Sequence, residues 1–198
     1  MSNFRRPKHL TTRRMQETRP NPPKKQAKAQ RPAREIRWNC PVAAKCGGCQ
    51  LTRLSYAEQL QWKQQRVAEL LDGICEVRPI LGMDDPFHYR NKVHAVLSVD
   101  KAGKPISGVY AMGTHRVVPV RHCLIEDRRA DRIIQTIVAM LPAYKLRIYN
   151  EYTHRGFLRH ILIRTGHVTG QIMVVLVATS LEFPGKKAFV QELIQCHP

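Results

Sequence analysis

The sequence predicts an α+β domain built on a mainly antiparallel sheet with packed helices, preceded by a disordered basic arm. Three observations carry this prediction. Between residues 93 and 179, short runs rich in β-branched residues are separated by Gly and Pro turns. Around them lie stretches with apolar residues at the 3–4 spacing of a helix. Near residue 38 the composition changes from Pro-interrupted and cationic to that of an ordinary globular chain. A chain of 198 residues has room for one domain with a real core plus a tail, so the expected division is 1–37 for the arm and 38–198 for the domain.

The arm holds 12 of the 33 Lys and Arg against Glu17 and Glu35 alone, and prolines at 7, 20, 22, 23 and 32 interrupt any helix. It suits contact with phosphates, the plain alternative being a solvated tail. Residues 40–50 form a cysteine-bearing loop. Ser55 and Glu58 make a capping box, and Leu60, Val67, Leu70 and Leu71 recur at helical spacing up to Gly73. A helix over 55–71 follows, with those four apolar residues as core contacts and Gln61, Lys63, Gln64 and Arg66 on the solvated side. Residues 93–99, 106–112 and 116–120 read as a meander of strands, and 127–141 as a helix ending at Pro142. Three more strands are expected at 146–153, 158–165 and 171–179. The last is almost wholly apolar over 172–178 and is expected to be central, with both faces covered. Residues 184–195 supply a closing helix.

The formal net charge of +18, from 33 Lys and Arg against 15 Asp and Glu, points to a polyanionic partner, and nucleic acid is the natural one. A membrane is excluded as a site of insertion, because no apolar run approaches the roughly 18 residues needed to span and no signal-peptide pattern opens the chain. The chain is expected to be cytoplasmic and monomeric. In a reducing compartment its six cysteines are metal ligands or free thiols rather than disulfides.

Cys40, Cys46 and Cys49 stand in the spacing C-x5-C-x2-C, with Gly47 and Gly48 in the tighter interval. Thiols this close converge on one metal centre, and the glycines let the backbone turn tightly enough for that. Ordinary buried cysteines or a disulfide pair are the alternatives. Zinc sites gather ligands as two close pairs, and no second close pair of cysteines exists here, so a three-plus-one set of the 4Fe-4S kind is favoured. The candidates for the fourth ligand are Cys75, Cys123 and Cys196, with His115 and His122 as weaker ones.

Two segments mix aromatic rings with cations: Phe87, Tyr89, Arg90, Asn91 and Lys92 before the first strand, and Arg155 and Arg159 between two later ones. Rings and guanidinium planes stack on unpaired bases while cations hold phosphates, so both segments are candidate RNA contacts. Each alone is more often a solvated face.

Together, Cys-x5-Cys-Gly-Gly-Cys-Gln-Leu, Leu-Ser-Tyr-x2-Gln-Leu-x2-Lys, Pro-Phe-His-Tyr-Arg-Asn-Lys, Cys123-Leu-Ile and Leu158-Arg-His-Ile-Leu-Ile-Arg resemble the RNA uracil-C5 methyltransferase family over about residues 38–180. The nearest branch carries a 4Fe-4S cluster and modifies 23S ribosomal RNA. The resemblance implies that Cys40, Cys46, Cys49 and Cys123 are the cluster ligands, and that residues 38–198 are the family's central RNA-binding domain. It also implies a mechanism for the full enzyme: a cysteine thiolate adds to C6 of uracil, C5 takes the methyl group of S-adenosylmethionine, and a base removes the C5 proton. The family's N-terminal β-barrel and its C-terminal S-adenosylmethionine-binding domain have no counterpart in the sequence. The expectation is therefore an N-terminal fragment, inactive alone, with no catalytic or methyl-donor-binding residue. A zinc-stabilised RNA-binding module without catalysis is the competing reading, and an electron carrier a third.

Overall fold

The computed structural model describes residues 38–198, all within one compact unit. The expected arm, 1–37, lies outside the described residues. Helix α1 (Tyr56–Leu70) begins where the capping box predicts: the Ser55 N–H donates to Glu58 Oε2 at 2.6 Å, and the Glu58 N–H donates back to Ser55 Oγ. The meander follows as β1 (Lys92–Val99), β2 (Pro105–Tyr110) and β3 (Val117–Pro119), then α2 (Arg128–Met140), β4 (Leu158–Thr165), β5 (Ile172–Ala178) and α3 (Lys186–Cys196). The strands form one antiparallel sheet in the order β3-β2-β1-β4-β5. The α+β expectation therefore matches the observed architecture.

The core lies on one face of this sheet. Ile133, Ile134, Ile137 and Met140 from α2 meet Val93, Ala95 and Leu97 of β1 and Leu158, Ile161 and Ile163 of β4, and Phe189 of α3 closes one side. Gly108 of β2 has no alternative, since a Cβ there would run into the Val118 carbonyl of β3. The opposite face carries the alternate residues of β1, β4 and β5, including exposed Lys92, His94, Arg164, Met173, Val175 and Val177.

Three expectations are corrected. Residues 146–153 are not a strand: Tyr149 donates to Leu158 and Asn150 to Arg155 through isolated bridges, and the chain turns back at His154 (φ 54°) and Gly156 (φ 115°). The apolar run of β5 is not central but the edge strand, its residues alternating between half-buried and exposed. The apolar stripe expected to anchor α1 is only partly covered: Val67 is 43% and Leu70 60% exposed and Leu60 and Leu71 are half-buried, while Tyr56 and Gln59 are buried. Helix α1 is tied instead to the extended segment after it. Gln64 brackets that segment by donating to the Arg78 carbonyl and accepting from the Ile80 N–H, and Tyr56 Oη accepts from the Met83 N–H at 2.7 Å.

Candidate nucleic-acid interface and cysteine cavity

The cysteine loop folds by local backbone bonds, Ala43 to the Cys40 carbonyl and Cys46 to the Val42 carbonyl at 2.8 Å, which bring Cys40 and Cys46 back toward one another. A bridge from Cys46 to Ala111 docks the loop beside the end of β2, and the Gly48 N–H points at Cys46 Sγ at 3.4 Å. From the other side, residues 120–126 bring Cys123, whose N–H is held by Asp131 Oδ2 at 2.9 Å. Cys40, Cys46, Cys49 and Cys123 all line one cavity of about 50 Å³, with His122 beside them. Cys75 and Cys196 are exposed and line no part of it, and His115 is paired with Glu151.

The thiols surround this space and do not meet at a point. Among the described residues no group of three or more His, Cys, Asp or Glu side chains is arranged to hold a metal ion. The electrostatics of the cavity follow from burial. Burial and, less strongly, the nearby Glu126 carboxyl push the Cys123 thiol up to about 11; burial also raises Cys49, partly offset by the Arg90 guanidinium. Glu126 itself is raised to about 7, by burial first and by Asp131 second. Trp38 lines the cavity too, and its indole Nε1 is buried with no hydrogen-bond partner among the described residues.

The segment 86–92 is strapped against the chain that carries Cys123. His88 N–H donates to the Leu124 carbonyl at 2.9 Å, Arg90 N–H to the Ile125 carbonyl at 2.8 Å, and Asp127 N–H to the Arg90 carbonyl. His88 takes φ 52° at the start of this strap, and its Nδ1 lies 2.8 Å from the Glu126 carbonyl. Phe87 packs on Trp38 with ring centroids 4.8 Å apart. Tyr89 and Arg90 line a second cavity, of about 370 Å³, between the strap, the cysteine loop and α1. Asn91 and Lys92 are exposed at the start of β1. Trp38, Tyr56, Gln59 and Lys63 also line this second cavity, and the sequence reading had not placed them at a site. A Trp two residues before the first cysteine is the one signal in the sequence.

The structure separates the two candidate RNA segments. Lys92 pairs with Arg164 and Val96 with His160, so Lys92 and Arg159 sit at opposite ends of the β1–β4 ladder, roughly 13 Å or more apart along the strand. Arg159 is also engaged internally: its guanidinium lies 4.6 Å from the Tyr149 ring centroid and 3.3 Å from Glu151 Oε1. Glu151 also takes His115 Nδ1 at 2.9 Å and the Tyr110 hydroxyl. Arg155 projects into solvent from the turn. No helix among the described residues is long and apolar enough to cross a membrane.

No family model matches the chain. Among curated proteins, an uncharacterized RNA methyltransferase of Clostridium tetani is 40% identical over 167 residues, 82% of this chain and 36% of that protein. An RNA methyltransferase of Bacillus cereus is 37% identical over 164 residues, 80% of this chain and 36% of its own length. Over this span the chain is similar to one section of these RNA methyltransferases. It spans about a third of the length of these relatives. Among solved structures, the Pyrococcus abyssi tRNA (uracil-54, C5)-methyltransferase in complex with S-adenosyl-L-homocysteine matches with a TM-score of 0.56 and 25% identity, over 76% of this chain and 35% of that one.

Proposed function

We propose that this chain is the RNA-binding, cluster-bearing section of a cytoplasmic S-adenosylmethionine-dependent RNA (uracil-5-)-methyltransferase acting on 23S ribosomal RNA. The observation that carries the reading is the 40% identity to an RNA methyltransferase over 82% of the chain. The choice of uracil C5 is supported by the likeness to the Pyrococcus abyssi enzyme. Transfer of the methyl group belongs to the whole protein, and no residue of this chain is assigned to bind the donor or attack the base.

The donor set, three close cysteines and one distant cysteine, supports a 4Fe-4S cluster over zinc, whose ligands usually come as two close pairs. Here four thiols line one space, and Trp38 Nε1 at its wall is a donor without an acceptor among the described residues, of the kind that hydrogen-bonds cluster sulfur. Cys40, Cys46 and Cys49 would hold it from the loop and Cys123 from the chain before α2. When bound, the cluster would supply a cross-link between these two distant segments. Arg90, beside Cys49, would offset the negative charge of the thiolates.

The test is anaerobic purification of the chain and of its Cys123→Ser and Cys75→Ser variants, with iron and sulfide analysis and RNA affinity measured across a salt series. We expect a brown protein carrying iron and sulfide, loss of both and of thermal stability in Cys123→Ser, and no loss in Cys75→Ser. RNA affinity should fall linearly on a log–log plot against salt. Stoichiometric zinc without iron would replace the cluster with a zinc-stabilised module, and absence of RNA binding would remove the functional reading itself.

A further inference from the structure

We infer that the 370 Å³ cavity between the cysteine loop, α1 and the 86–90 strap is a receptor for one unstacked RNA nucleotide, its base held by Trp38, Tyr89, Tyr56 and Gln59 and its phosphate by Lys63 and Arg90. The inference rests on RNA being the partner of this chain. Size is the first argument. The cavity falls in the range of about 300–1,000 Å³ typical of small-ligand sites, which admits a nucleotide and excludes a duplex. A base reaches such a site only when it is splayed out of its stack.

The walls supply the chemistry that a base needs. Trp38 is braced by Phe87, and Tyr89 is fixed at its backbone by the bonds of His88 and Arg90 to Leu124 and Ile125, yet its ring remains 53% exposed. Two aromatic groups on a rigid frame are a stacking platform, which tolerates any base. Polar groups are placed deeper. Gln59 is 7% exposed; its Nε2 donates to the Leu54 carbonyl at 3.1 Å, and its Oε1 accepts from no donor among the described residues. Tyr56 is also buried, and its hydroxyl accepts from Met83, which leaves the hydroxyl proton free to donate. An acceptor and a donor lining the same cavity can pair with the edge of a base. At the cavity wall Lys63 forms no ion pair with a carboxylate among the described residues, unlike Arg159, so its charge is available to a phosphate, and Arg90, whose field also reaches Cys49 and Glu126, adds to it.

The experiment separates base contacts from phosphate contacts. Fluorescence anisotropy would give the affinity of the anaerobically purified 198-residue chain for a short oligouridine and for a ribose-phosphate strand of equal length lacking bases. Tyr89→Ala should weaken oligouridine binding about tenfold, in line with loss of one stacked base, and leave the abasic strand unaffected. Gln59→Leu should act in the same sense, with circular dichroism reporting whether that buried change is tolerated. Because Tyr89 is exposed, its variant keeps the test decisive if Gln59→Leu unfolds. Equal weakening toward both strands, or no change toward oligouridine, overturns the nucleotide pocket while RNA binding stands. Failure of the wild-type chain to bind either strand removes the RNA reading, and the pocket with it.

Discussion

Asp127 ties three things together at the mouth of α2. Its Oδ1 accepts from the Arg129 N–H at 2.8 Å as the N-cap, its Oδ2 meets Arg129 Nη2 at 2.7 Å, and its own N–H closes the strap by donating to Arg90. Hydrogen bonding to Arg129 is the main reason its carboxyl is held at about 2, below the ordinary 3.8. A lowered pKa means that the ionised form stabilises the fold above the unfolded value, and that this contribution is lost as pH falls through the folded one. Asp127→Ala should therefore cost about 1 kcal/mol at neutral pH, the scale of a lost cap. The gap to wild type should close between pH 3.8 and about 2, as followed by denaturant melts. A gap constant across that window would show that the carboxylate contributes nothing as an anion. At this scale the sequence was partly legible. Close cysteine spacing is a local signal, and it led to three thiols that do line one cavity. Gln59 and Lys63 gave none, because their place at a cavity depends on α1 being tied to residues 78–83 by side-chain-to-backbone bonds, which leave no periodic trace.

At the scale of elements, the capped helix and the first strands follow from local rules, and the failures share one cause. Periodicity reports how apolar each face of an element is, not which part of which chain covers it. Helix α1 has apolar residues at helical spacing, yet Val67 and Leu70 face solvent. Strand β5 is apolar on both faces, which read as central, and it lies at the sheet edge with Met173, Val175 and Val177 exposed. An apolar edge of this kind is open to further strand pairing and to hydrophobic ligands. The isolated chain should accordingly bind the dye ANS and self-associate at high concentration. Val175→Lys should reduce both, with a change in folding stability of no more than about 0.5 kcal/mol, as for an exposed position. If dye binding and sedimentation are the same in Val175→Lys, the exposed face of β5 is not the apolar surface responsible.

For the whole molecule, charge is the property read most directly from sequence, since it needs no fold. The net charge of +18 is divided unevenly: residues 1–37 carry 12 of the 33 Lys and Arg but 2 of the 15 Asp and Glu. The described domain offers a different kind of contact. At the strap Arg90 lines a cavity with Tyr89 and Trp38 on fixed backbone and Lys92 is exposed at the start of β1, while Arg159 is paired with Glu151. Two modes of binding follow, one from dispersed charge that takes any phosphate and one from a shaped site that takes bases. They separate in the salt dependence. Each phosphate neutralised on a single strand contributes about −0.7 to the slope of log affinity against log salt, whatever the sequence. Deleting residues 1–37 should flatten that slope by several such units and weaken binding at low salt, leaving the melting temperature of the domain unchanged because none of its core residues is removed. The abasic strand should lose proportionally more affinity than oligouridine, since only the latter keeps its contacts to the rings. A slope that survives the deletion intact would place the phosphate contacts within residues 38–198 and leave the arm a solvated tail.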